Sequence, residues 1–192
     1  MQAFLIATGL VALAEIGDKT QLLAFMLAAR FKRPVPIVLG ILVATVFNHA
    51  LAGALGGWLT GVIGPVALRW VLGLSFLAMA GWMLIPDKLD DDDAPRPGHG
   101  VFVTTVIAFF LAEMGDKTQI ATVALAARFP AEFIGVVAGT TAGMMLANVP
   151  AVLVGDRLAQ KLPVRLVHGV AALIFALLGV ATLAGAGESL GF

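Results

Sequence analysis

Residues 14–31 read AEIGDKTQLLAFMLAARF, and residues 112–129 read AEMGDKTQIATVALAARF. At an offset of 98 the two segments share 12 of 18 positions. Each begins inside a long apolar run, so Glu15, Asp18 and Lys19, and again Glu113, Asp116 and Lys117, stand where charge is hardest to hold. A charged side chain at the centre of a bilayer costs about 2.5–3.5 kcal/mol or more, and such residues mark substrate and ion pathways. Two matching sets point to one site built from both halves of the chain.

Composition makes the bilayer the relevant solvent. Hydrophobic residues make up 60% of the chain and charged residues 12%, with a mean hydropathy of +0.99. Soluble domains hold roughly 45–50% and 25%. The formal net charge is zero, which argues against a nucleic-acid partner. There is no cysteine, so disulfides and thiolate metal sites are excluded. No Lys or Arg precedes the first apolar run, and that run carries the motif, which argues against a cleaved leader.

Six apolar segments are long enough to span, at roughly 2–29, 35–57, 66–85, 101–127, 132–155 and 164–186. About 20 residues cross the hydrocarbon core, so the first and fourth should tilt, or break near Gly17 and Gly115. Uniform apolarity excludes a membrane barrel, whose strands alternate. The expected fold is an all-α integral membrane protein of six transmembrane helices. One three-helix repeat covers 1–85, an acidic linker 86–100, and a second repeat 101–192. Three spans per repeat place the second copy upside down relative to the first, an inverted repeat with its site near the midplane. Arg30, Lys32, Arg33, Lys88, Arg96, Arg157, Lys161 and Arg165 fall on one side, against Arg69 and Arg128 on the other. The positive-inside rule makes the first side cytoplasmic and puts both termini outside.

On a continuous helix Glu15, Asp18 and Gln21 share a face at steps of three, and Glu113, Asp116 and Gln119 repeat it. Where two such faces meet, four carboxylates and two amide carbonyls form an all-oxygen cage. Hard divalent cations such as calcium, magnesium or manganese suit oxygen ligands, whereas zinc and copper favour His or Cys. Four carboxylates with Lys19 and Lys117 leave a charge of −2 when all are ionised, which one divalent cation neutralises. The lysines then tune the charge of the empty site. A site that holds either a metal or protons is the minimal machinery of a cation/proton exchanger. Gly17 and Gly115 allow close approach or unwinding.

Other polar residues carry less. Thr20 and Thr118 can donate to a carboxylate or to backbone. Asn48 and Asn148 occupy nearly matching places in the second and fifth spans, and either hydrogen-bond between helices or line the path. His49 reads as a pore or interface residue, and His99 and His168 receive no role. Met114, beside Glu113, reads as packing. The Asp90–Asp93 run reads as a solvated spacer, with metal sensing as the sharper alternative. Arg30 and Arg128 anchor span ends or gate the path.

Glu15-Ile-Gly-Asp-Lys-Thr20 and Glu113-Met-Gly-Asp-Lys-Thr118 resemble the E-x-G-D-[KR]-[TS] signature of a membrane cation/proton exchanger family, once catalogued as uncharacterised protein family 16. It includes Golgi and chloroplast manganese/calcium transporters and bacterial manganese exporters. The resemblance covers nearly the whole chain. It implies a secondary transporter that exports manganese in exchange for protons from the inner membrane of a prokaryote, with Glu15, Asp18, Glu113 and Asp116 at the cation. Mn2+ or Ca2+ is then cargo, with no prosthetic group. The alternatives are a calcium/proton antiporter and, in another class, an intramembrane hydrolase working through carboxylates or a bound metal. A non-enzyme is favoured, because the motif contains no nucleophile–base pair. Monomer and homodimer both remain open.

Overall fold

Neither copy of the motif lies on an unbroken helix, because a glycine in each adopts a left-handed backbone. Gly17 has φ +83° and Gly115 φ +75°. In this computed structural model, which describes residues 1–85, 100–154 and 164–185, the first apolar run is therefore split into α1 (Gln2–Glu15) and α2 (Lys19–Phe31). The fourth run is split into α5 (Val101–Glu113) and α6 (Lys117–Arg128). Between them run α3 (Pro34–Val62) and α4 (Pro65–Trp82), each opened by a proline at its first position, where the missing N–H costs nothing. A 3-10 turn at Pro130–Glu132 leads into α7 (Phe133–Val154), and α8 (Val164–Leu183) closes the described chain. The Asp90–Asp93 run, His99, Lys88, Arg96, Arg157 and Lys161 lie outside the described residues.

Among the described residues, four helical stretches are long and apolar enough to cross a membrane: α3, α4, Pro130–Val154 and α8. Helices α1 and α5 are apolar but shorter. No strand occurs among the described residues. Large apolar side chains such as Leu39, Phe47, Trp58, Leu146, Leu173 and Leu177 face outward, the surface expected of a bundle solvated by lipid.

The main packing between the two copies is reciprocal. Helices α5 and α6 pack on α3, while α1 and α2 pack on α7, and α4 lies along α8. Close contacts of this kind require missing side chains. A Cβ on Gly56 would fall 2.3 Å from the Val123 carbonyl oxygen, and one on Gly139 would fall 2.5 Å from that of Phe4. Helices associate in lipid through such close backbone approach.

The buried apolar residues form two clusters. One holds Leu10 and Ala14 of α1, Phe76 of α4, Leu125 of α6 and Phe175 of α8. The other holds Leu23 and Leu27 of α2, Ile41 of α3, Phe109 and Ala112 of α5, and Ala151 of α7. The first motif carries the chain from the first cluster to the second. The second motif carries it back. Both sets of charged residues thus lie where the chain crosses between the clusters, and the two crossings run in opposite senses.

Candidate functional site

Each motif is a helix end, a three-residue kink and a helix start. Glu15 is the last residue of α1, Ile16 is extended, Gly17 turns left-handed, and Asp18 is the extended N-cap of α2. The Asp18 N–H donates to the Glu15 carbonyl at 3.1 Å, and the Asp116 N–H donates to the Glu113 carbonyl at 3.2 Å. The shared-face expectation for Glu15, Asp18 and Gln21 is accordingly replaced. The helix that would align them stops at Glu15, and the kink, not helical spacing, sets where each carboxylate points. The positive N-terminal ends of α2 and α6 start at the two aspartates, an arrangement that favours negative charge there.

The kinks bring the two copies together. Glu15, Glu113 and Asp116, all buried, each offer a carboxylate oxygen, and these oxygens lie within 4.8 Å of one another. Two oxygens on opposite sides of a hard cation with bonds of about 2.4 Å would be separated by about that distance. The spacing and the donor chemistry therefore fit a calcium- or manganese-sized ion.

The lysines cross between copies. Lys117 Nζ lies 3.1 Å from Asp18 Oδ1, with neither side chain reached by solvent. Lys19 Nζ lies 3.6 Å from Asp116 Oδ1 and is 21% exposed. The fourth carboxylate, Asp18, is thus held by the opposite copy's ammonium group beside the other three. With all six groups ionised, the site keeps its charge of −2.

The threonines break the symmetry. Thr20 Oγ1 donates to Glu15 Oε2 at 2.6 Å, and Thr118 Oγ1, from the other copy, makes a short bond to Glu15 Oε1. Both oxygens of Glu113 are buried with no hydrogen-bond partner among the described residues. An unsatisfied buried carboxylate is costly, and a cation or proton removes the deficit.

The glutamines serve the kinks. Gln21 Oε1 accepts from the Gly17 N–H at 2.9 Å, and Gln119 Oε1 accepts from the Gly115 N–H at 2.8 Å. Gln21 Nε2 donates to the Ala147 carbonyl at 3.1 Å, and Gln119 Nε2 makes a short bond to Asn48 Oδ1. Each glutamine therefore ties its own kink to the helix that packs on it from the other copy, α7 or α3. Asn48 completes this tie by donating to the Phe110 carbonyl at 3.4 Å. Asn148, one residue from Ala147, donates back to the Met144 carbonyl and leaves its own Oδ1 buried without a partner among the described residues. The amide carbonyls expected at the cation are thus engaged at the glycines in this conformation.

Sequence assigns His168 no role, yet its Nε2 lies 2.6 Å from the Ile16 carbonyl oxygen in the first kink. Val164 covers the same kink, with Cγ1 2.3 Å from where a Cβ on Gly17 would lie, whereas Gly115 faces open space. A single histidine near a span end, without a counterpart in the other copy, carries no signal for this contact. His49 is fully buried, and neither ring nitrogen has a hydrogen-bond partner among the described residues. Met114, read as a packing residue, is exposed. Arg30 and Arg128, at the ends of α2 and α6, each lie over the ring of the next residue, a phenylalanine.

The family model described as "Divalent cation/proton antiporter GDT1" matches the chain twice, over residues 3–91 and 101–189. A Vibrio cholerae protein named "Putative manganese exporter" is 51% identical over 182 residues, which cover 95% of this chain and 90% of that one. "GDT1-like protein sll0615" of Synechocystis is 32% identical over 199 residues, covering 94% and 96%. "GDT1-like protein 5" of Arabidopsis thaliana is 27% identical over 221 residues, covering 95% and 96%. No solved structure matches the chain.

Proposed function

The chain belongs to the GDT1 family of divalent cation/proton antiporters, and on that premise we propose that it exports manganese from the cytoplasm in exchange for protons. The observation that carries the reading is the buried cluster of Glu15, Glu113 and Asp116, with Asp18 and two crossed lysines beside it. The identity to the Vibrio cholerae relative, whose name specifies manganese, favours that metal over calcium.

Glu15, Glu113, Asp116 and Asp18 take the cation. Binding displaces protons from the carboxylates and weakens the hold of Lys117 on Asp18. Departure of the cation restores the lysine pairs and readmits protons. Gln21, Gln119 and Asn48 hold the kinks during this exchange, and the glutamine carbonyls reach the cation only when a kink reshapes. Thr20 and Thr118 steady Glu15 as the fixed member of the cluster, while Glu113, without hydrogen-bond donors among the described residues, is the member that exchanges a proton. No hydrolytic role is assigned, since an antiporter needs none.

Alternating access rests on a six-span inverted repeat in which α1 with α2, and α5 with α6, each complete one broken span. The opposite senses in which the two motifs cross between the apolar clusters support this topology. Broken helices whose ends face a midplane site are a recurrent build of secondary transporters. Residues 1–85 and 101–192 form the repeats. The lysine and arginine bias places the 86–100 linker in the cytoplasm and both termini outside. One chain supplies both copies, so the site is complete in a monomer.

The test is a bacterial strain lacking its own manganese exporter. Expression of the wild-type chain should lower cellular manganese and restore growth in excess metal, and Asp116→Asn should abolish both. Equal protection by Asp116→Asn would overturn the reading.

A further inference from the structure

Two cavities adjoin at one end of the bundle, away from the carboxylate cluster. The first, of about 230 Å³, is walled by Ile6, Phe76, Leu125, Phe129, Ile174 and Leu178. The second, of about 380 Å³, is lined by Arg69, Arg128 and Thr182 among apolar neighbours. Arg128 and Thr182 line both, so the apolar slot adjoins a second space that also holds Arg69.

The arginines are placed for an external anion. Arg69 Nη1 lies 3.4 Å from the Cβ position of Gly185, so its guanidinium reaches from α4 to the end of α8. Arg128 is half-buried at the last turn of α6, its guanidinium over the Phe129 ring at 5.9 Å. Neither is ion-paired to a described residue. Glu132, the acid nearest Arg128 in sequence on its C-terminal side, lies 2.7 Å from the Met1 amine instead. Guanidinium groups bind phosphate oxygens through parallel, charge-assisted hydrogen bonds.

We propose that this end of the bundle is a binding site for an anionic phospholipid, with the phosphate between Arg69 and Arg128 and an acyl chain in the slot beside Phe76 and Ile174. Charge complementarity selects an anionic amphiphile, and the apolar slot selects a lipid over a free phosphate. Leu177, which also lines the slot, is 61% exposed, so a chain can enter sideways from the bilayer.

The test is thermal melting of the purified protein in detergent with phosphatidylglycerol, phosphatidylcholine or inorganic phosphate added. Phosphatidylglycerol should raise the melting temperature by several degrees more than phosphatidylcholine, and inorganic phosphate should not reproduce the shift. The Arg69→Gln/Arg128→Gln variant should lose the difference between the lipids. Leu178→Trp, which fills the slot and leaves both arginines, should weaken the response to phosphatidylglycerol. Equal shifts for the two lipids, full reproduction by phosphate, or an intact preference in either variant would overturn the proposal.

Discussion

Removing the Lys117 ammonium probes the cross-copy pairing most sharply. Lys117 and Asp18 are both shielded from solvent at 3.1 Å, so Lys117→Met takes a buried ammonium partner away from Asp18. Breaking a buried ion pair in this way costs about 3–5 kcal/mol. Lys19→Met should cost about 1 kcal/mol or less, because that pair is longer, at 3.6 Å, and Lys19 is partly solvated. Lys117→Met also moves the ionised site from −2 to −3, so a divalent cation gains a stronger partner. At a concentration 100 times its Kd, a bound ion stabilises the folded state by about 2.7 kcal/mol, enough to recover much of the loss. The assay is thermal melting in detergent, first with chelator and then with manganese. Lys117→Met should melt well below wild type without metal and show the larger manganese-dependent rise. Asp18→Asn/Lys117→Met should recover most of the lost stability. A Lys117→Met protein that melts like wild type without metal, or a double variant no better than the single, would refute the reasoning.

The two kink glycines should respond unequally to alanine. Gly17→Ala combines a left-handed backbone with a clash against Val164, together on the order of 2–4 kcal/mol, whereas Gly115→Ala meets open space and costs only about 1–2 kcal/mol of backbone strain; comparison of the two melting curves checks the order. Gly56→Ala should push α3 off α6, because its Cβ would meet the Val123 carbonyl, and should destabilise by about 1–3 kcal/mol in the same assay. Manganese added to protein in weakly buffered detergent should release protons, tracked with a pH indicator, and Glu113→Gln should reduce the number released. Thr118→Val should loosen Glu15, which accepts from Thr118 and Thr20, and weaken manganese binding in calorimetry by roughly tenfold, the equivalent of about 1.4 kcal/mol.

The candidate site is legible in the sequence because charge in an apolar run is rare and here it occurs twice. The break at Gly17 and Gly115 is legible too, since the runs exceed one bilayer thickness and contain glycine at the motif. The consequences of those breaks are harder to read. Spacing on an ideal helix puts Glu15, Asp18 and Gln21 on one face, but a kink reorients each side chain, and no periodicity describes it. The same kinks expose the Gly17 and Gly115 N–H groups, which need acceptors in lipid, and Gln21 and Gln119 supply them. The crossing of Lys19 and Lys117 depends on how two repeats interlock, a property of the pair and not of either copy. The preference of both threonines for Glu15, and the contact of His168 with Ile16, break a symmetry that near-identical motifs cannot reveal.

Manganese flux in proteoliposomes with an imposed pH gradient tests the central claim most directly. With an acidic lumen, outward protons should drive manganese inward above its equilibrium level, and collapse of the gradient with a protonophore should abolish the accumulation. Glu113→Gln should insert into the same vesicles and carry no gradient-driven flux. Accumulation that ignores the pH gradient, or persists in Glu113→Gln, would contradict exchange of cation for protons at this carboxylate cluster.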